Sequence, residues 1–280
     1  MLKILLRHYK TLLVVFLSFG ISTYFFCLFF LSPKYQSVAV LYPPNTHSYS
    51  HLVSAGMRFG YDKEIGEHVE ILESNTVKES LITKYNLGEH YDIDIESPYY
   101  HDILLNKYDD NISISRSINK SIQIIVLDEN PKLSAEMANS LINLADNHKS
   151  EIIHSNLKQA TISSKFSYLN KNKSVTQMSD SLISLRNAGE VVWNLGEERK
   201  SGRYINYEIQ YRKELDQMYG FKTRYEELES LLSQEVPKSY IISKAIASSK
   251  AVFPRKGLSA LLMACIATTI VIIGLQLKEE

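Results

Sequence analysis

His47 and His51 stand four residues apart, the spacing that lets two imidazoles on one helix face share a metal ion. They follow Pro43-Pro44, which favours loop over helix, and no third ligand pattern accompanies them, so the reading is a surface pair. The remaining histidines, His8, His68, His90, His101, His148 and His154, are scattered. Asp92, Asp94 and Glu96 alternate as on a strand or loop. Glycoside chemistry needs two carboxyl groups facing each other at about 5–9 Å. Their spacing does not supply that relation, and the run reads as a solvated acidic loop. There is no GxxxxGK[ST] phosphate loop, GxSxG elbow or HExxH helix. Catalytic, cofactor-binding and metal-ligating residues are therefore expected to be none, and the chain is not expected to be an enzyme. The remaining candidate is the charged block Glu197-Glu198-Arg199-Lys200 at a glycine-flanked turn, read as a partner-contact tip.

The elements that must position such a tip begin with two apolar blocks. The chain has 280 residues and a formal net charge of +0, which gives no basic stripe for nucleic acid. Residues 12–31 and 258–275 contain no charged side chain. At 1.5 Å per residue such stretches span about 27–30 Å of hydrocarbon, and in lipid they must be helices. Cleavage after the first block is not expected, because Phe25, Phe26, Phe29 and Phe30 stand where small residues would be needed. Lys3, Arg7 and Lys10 place the N-terminus in the cytoplasm, and two spans return the C-terminus there. Arg255 and Lys256 run against this orientation, but the rule is weak beside long translocated regions. Both cysteines, Cys27 and Cys265, fall within the blocks, so no disulfide framework supports the region between them.

Residues 35–42 alternate and are rich in β-formers, predicting a strand that leaves the membrane. A helical region is expected from about Ser50, clearest over 71–88, with Ser74 or Asn75 as cap, Val77, Leu81 and Ile82 on one face, and Gly88 as the stop. Strands are expected at 112–115 and 122–127. Pro131 then opens a long helix to about Arg186, with a weak point at 169–174. Val175, Met178, Leu182 and Leu185 follow coiled-coil spacing. Glycines at 189, 196 and 202 mark a distal turn, and a return helix follows to about Ser233. Its Tyr204, Tyr207, Tyr211 and Tyr225 suit packing against the partner helix more than stacking on sugar. Residues 239–245 read as a strand rejoining the first module. The expected fold is thus an α+β membrane protein, with two transmembrane helices flanking a periplasmic α/β base module and a long helical hairpin (coiled-coil) extension. In residues, that is a cytoplasmic stretch 1–11, span 12–31, base 32–131, hairpin 132–235 with its tip near 187–202, return strand and linker 236–257, span 258–275 and tail 276–280.

Four stretches carry a family resemblance: Pro33-Lys34-Tyr35 leading into a strand, Leu72 to Leu87 with Ser74 and Val77 in the pattern L-x-S-x-x-V, the junction Asp128-Glu129-Asn130-Pro131 with Ala135, Ala138 and Asn139, and the strand, proline-bearing linker and span at the C-terminal end. In these the chain resembles the Wzz-type polysaccharide co-polymerases, or chain-length determinant proteins, in a form without a kinase domain. The family's linker often has several spaced prolines, whereas Pro254 stands alone here. The resemblance implies a homo-oligomeric ring in the bacterial inner (cytoplasmic) membrane, non-catalytic, working with a polysaccharide polymerase and the growing chain. Its role would be to regulate the length of a lipopolysaccharide O-antigen, capsule or exopolysaccharide. The alternative, from the same helical hairpin, is a periplasmic adaptor of an envelope export system.

Overall fold

The computed structural model describes residues 9–43 and 62–279. Two apolar helices, α1 (Tyr9–Phe29) and α8 (Lys256–Glu279), bracket everything else. Each is long and apolar enough to cross a bilayer, and their bulky side chains point outward, with Phe29, Phe30 and Ile270 from 64% to 76% exposed. Small residues make the seam between them. A Cβ added at Gly20 would lie 3.7 Å from Ala264 Cβ and 3.9 Å from the Ala260 carbonyl oxygen. Close approach at small residues is how helices associate in lipid, where apolar burial gives no net drive. The chain is a two-span inner-membrane protein with a periplasmic core.

The described chain forms two compact units. The first contains the spans and an antiparallel sheet in the order β2 (Ile112–Arg116), β3 (Ile122–Asp128), β1 (Lys34–Tyr42), β6 (Tyr240–Ser243). A short β7 (Ala251–Phe253) pairs with the start of β1, at Lys34 and Tyr35, while β6 pairs with its end. Alternation is strict where it matters. Ser37, Ala39 and Leu41 of β1 and Ile122, Ile124 and Val126 of β3 are all buried on one face. Against that face pack α2 (Asp62–Leu72), α3 (Asn75–Tyr85) and the first turns of α6 (Pro131–Leu185), through Ile65, Leu72, Leu81, Met137 and Leu141.

The cap of α3 is Ser74, whose hydroxyl accepts the Val77 N–H at 3.4 Å. The predicted stop is corrected. Asn86, at φ 47°, ends the helix, and Gly88 lies inside the one-turn helix α4 (Leu87–His90). A Cβ there would overlap the Tyr100 hydroxyl, so a larger residue would have to displace that side chain. Tyr100 opens α5 (Tyr100–Asn111), a helix the sequence did not announce: it lacks a side-chain cap and buries only Leu104, Tyr108 and Asn111.

The second unit comprises the rest of α6, a kinked turn at Arg186–Glu190 that breaks at Gly189 (φ 85°), a two-stranded hairpin β4 (Val191–Asn194) and β5 (Glu197–Lys200), and α7 (Gly202–Leu232). Helix α6 runs unbroken through 169–174, where Lys171 donates to Glu214 of α7 at 2.5 Å and Val175 is buried. Tyr204, Met218 and Leu228 are the buried residues of α7, and Tyr168 stacks on Tyr225 at 6.5 Å.

Candidate functional site

Leu195 and Gly196, at φ 52° and 84°, both adopt left-handed backbone. This is what a two-residue turn between right-twisted strands demands, so β4 and β5 close as a tight hairpin. Cross-strand pairing sets Val191 against Lys200, Val192 against Arg199, Trp193 against Glu198 and Asn194 against Glu197. Paired residues share a face, so the four predicted tip residues divide into two couples. Glu198 and Lys200 share the face of Val191 and Trp193, and they are engaged: Lys200 Nζ lies 2.9 Å from Glu208 and 3.8 Å from Glu198, and Arg186 lies 3.7 Å from Glu198. Arg212 completes the chain at 2.8 Å from Glu208. Glu197 and Arg199, on the other face, form no ion pair among the described residues and are exposed.

The hydrogen bond from Lys200, with that from Arg212, holds the Glu208 carboxyl below the usual range, and the same bond raises the Lys200 ammonium. Both stay charged at neutral pH. Sequence reasoning placed all four charged residues together without showing which anchor the hairpin. It also passed over Trp193, the chain's single tryptophan, which is 70% exposed beside them with Leu195 at 99%. The signal was there in Val191-Val192-Trp193, a β-forming run before a turn.

Two polar clusters of the first unit contain a histidine beside an aspartate or a serine. His90 Nε2 is 2.8 Å from Asp128 Oδ2, and Asp128 Oδ1 accepts the Asn130 N–H at 2.7 Å. Asn130 in turn accepts the N–H groups of Lys132 and Leu133, capping α6 ahead of Pro131. A cavity beside this junction is lined by Lys34, Tyr91, Lys107 and Asn111 among others, with no serine, threonine or cysteine to act as a nucleophile. Burial, with the nearby Asp128 charge, pushes Tyr91 up to about 12. The Asp-x-Asn-Pro pattern is thus accounted for as a strand-to-helix joint. Asp92 and Asp94 follow in loop, and Asp94 accepts the Glu96 N–H at 3.0 Å. His47 and His51 lie outside the described residues.

The second cluster joins a serine, a histidine and an aspartate that the sequence keeps far apart. Ser239 Oγ is 3.1 Å from His68 Nε2 and donates to Asp146 Oδ1 at 2.7 Å. A hydrolytic triad has the acid on the histidine's far nitrogen. Here the carboxylate takes the serine's own proton, and the group ties the start of the returning strand to α6.

With the spans, β1, and the capped α3 in view, the N-terminal part of the chain matches a known pattern: residues 1–85 fit the sequence model of Wzz, the chain length determinant protein. The matched stretch ends on α3, so Ser74 and Val77 of the capped turn lie inside it. Among solved structures the chain is similar to a full-length bacterial polysaccharide co-polymerase at 13% identity and a TM-score of 0.42, covering 100% of this chain and 96% of that one. It is also similar to a fragment of WzzB, a polysaccharide co-polymerase from Salmonella Typhimurium, at 12% identity and 0.37, covering 79% and 100%. A Wzz dodecamer matches at 9% identity and 0.29, covering 77% and 98%. No curated protein matches in sequence.

Proposed function

We propose that the chain is a non-catalytic polysaccharide co-polymerase of the inner membrane, which regulates the length of a surface polysaccharide. The observation that carries this reading is the chain length determinant segment at residues 1–85, which runs from the first span through β1 to the capped α3. The partners proposed are further copies of this chain, a polysaccharide polymerase and the growing glycan. The mechanism is geometric. An assembly that keeps polymerase and chain end close raises their effective concentration, and product length follows from when that contact is lost, with no bond chemistry by the scaffold itself.

Within that reading the tip divides its labour. Glu198 and Lys200 hold the hairpin in shape, while Glu197 and Arg199, on the face they share with Val192 and Asn194, form the outward surface that meets a partner or polymer. Deleting the gene in its host and resolving lipopolysaccharide and exopolysaccharide by size tests the function. A shifted or broadened length distribution, restored by the intact gene, is expected. An unchanged ladder together with unchanged exopolysaccharide size defeats the proposal.

A further inference from the structure

Arg255 and Lys256, the two cations that run against the orientation of the spans, belong to a wider charge pattern. Residues 1–61 and 236–278 contain no aspartate or glutamate, while Lys238, Lys244, Lys250, Arg255 and Lys256 follow one another between Glu235 and the second span. Every acid lies within 62–235 or at the last two positions. The outer approaches to both spans therefore carry only positive charge.

Where the linker meets the spans, a groove of about 880 Å³ opens between the end of α1 and the start of α8. That size falls within the range of about 300–1,000 Å³ typical of small-molecule sites. Lys250, Arg255 and Lys256 line one part of it, and the exposed apolar residues Tyr24, Val252 and Phe253 line another. Among the described residues, no carboxylate lines it. Deeper in the membrane, α1 and α8 close on each other at Gly20, with Ala260 and Ala264 opposite. One turn nearer the outer surface stands Tyr24, and there the seam gives way to the groove. Tyr24 is five residues short of Phe29, about 7.5 Å along the axis, which suits an aromatic ring at headgroup level.

The backbone holds these groups in place. Strand β7 pairs Phe253 with Lys34 and Ala251 with Tyr35, fastening the linker to the strand that leaves the first span. The Ser248 hydroxyl accepts the Lys250 N–H at 3.3 Å and donates to the Lys250 carbonyl at 3.0 Å. The Arg255 carbonyl accepts the Ser259 N–H at 3.0 Å, starting α8. Neighbouring Lys34 is engaged elsewhere, donating to Asn111 at 2.6 Å. Lys250, Arg255 and Lys256 form no ion pair among the described residues.

The two chemistries select one ligand. An arginine fork flanked by two ammonium groups suits a phosphate. The apolar wall offers nothing to free phosphate, but it suits acyl chains. A zwitterionic headgroup would bring an ammonium for which the groove has no carboxylate. Basic pockets between membrane helices hold anionic headgroups on the same terms. We propose that the groove binds the headgroup phosphate of one anionic phospholipid from the periplasmic leaflet, with its acyl chains against Tyr24 and Phe253. The site depends on the two-span topology and not on the co-polymerase reading, so an unchanged polysaccharide length leaves it standing.

Native mass spectrometry of the full-length protein in detergent, titrated with phosphatidylglycerol or phosphatidylcholine of the same acyl chains, tests this. A basic residue beside an anionic headgroup is worth roughly fivefold, so three of them should favour phosphatidylglycerol by at least about tenfold, at one site per chain. Lys250→Gln with Arg255→Gln and Lys256→Gln should remove that preference and leave phosphatidylcholine binding unchanged. Lys3→Gln with Arg7→Gln and Lys10→Gln, on the cytoplasmic side, should keep it. Inorganic phosphate in large excess should not displace the lipid. Equal affinity for the two lipids in the parent protein overturns the proposal without recourse to any variant. So does a preference that survives the triple substitution in the groove, or one that is lost with the cytoplasmic substitutions instead. Displacement by inorganic phosphate overturns it as well, since that marks a bare anion site.

Discussion

The Asp146 carboxylate accepts both the backbone N–H of Ser239, at 3.0 Å, and its hydroxyl, at 2.7 Å, across 93 positions of sequence. This link, with Asn139 holding the Ala245 N–H and carbonyl at 3.0 and 2.9 Å, seats the returning chain beside α6. Hydrogen bonds to a buried carboxylate contribute about 1.5–3 kcal/mol. Asp146→Ala is expected to lower the melting temperature of the detergent-solubilised protein by about 3–12 °C, at about 2–4 °C per kcal/mol for a chain of this size. Ser239→Ala, which keeps the backbone bond, should cost less than half as much. Equal losses from the two variants would show that the hydroxyl alone carries the link.

Gly88 and Tyr100 make a second testable pair, because a Cβ on residue 88 would overlap the tyrosine hydroxyl. Gly88→Ala is expected to destabilise by about 1–3 kcal/mol through overpacking. Adding Tyr100→Phe removes the atom that meets the new methyl first and should recover part of that loss. The double-mutant cycle measures the coupling. Additive losses would place the cost of Gly88→Ala elsewhere.

These two relationships mark where the sequence was and was not legible. Apolar blocks, the alternation of residues 35–42, and Asp128-Glu129-Asn130-Pro131 are local signals, and each matches an observed element. Ser74 was legible for the same reason: a cap bonds within its own turn. Gly88 was misread as a stop: the helix ends at Asn86, and the neighbour that crowds Gly88 is Tyr100, a partner that local pattern does not reveal. Leu169 to Ser174 were read as a weak point, yet cross-helix contacts such as Lys171–Glu214 carry α6 straight through. At the tip, the four charges were found as a group. The division into anchoring and outward couples depends on strand pairing, which a run of four charged letters does not contain.

Alkaline pH should loosen the first unit through Tyr91 and Tyr108. Burial raises both phenols, Tyr91 to about 12 with help from Asp128, and Tyr108 further still. A raised folded-state value favours the neutral phenol, so its stabilisation is complete below the ordinary tyrosine value of about 10 and is lost as pH climbs through the folded-state value. Melting temperature measured from pH 9 to 12 should fall across that window. Tyr91→Phe should flatten the fall, and an unchanged slope would exclude Tyr91 as its source.

The ion pairs at the tip predict the opposite dependence at the acid end. Glu208 is held below the usual carboxylate range by Lys200 and then Arg212, so its contribution is present above the unfolded value and fades as pH drops through the lowered one. Lys200, raised by the same bond, keeps its contribution through neutral pH and loses it only in strong alkali. Glu208→Gln should therefore speed amide exchange in β4 and β5 at pH 7, with the mutant and parent converging in acid. Arg199→Ala with Glu197→Ala should leave exchange unchanged, since neither side chain holds the hairpin. If the double variant nonetheless shifts polysaccharide length in the host, the outward face of the tip acts by contact rather than by shape. If it shifts nothing, the partner-contact role falls and the hairpin remains a structural end to the arms.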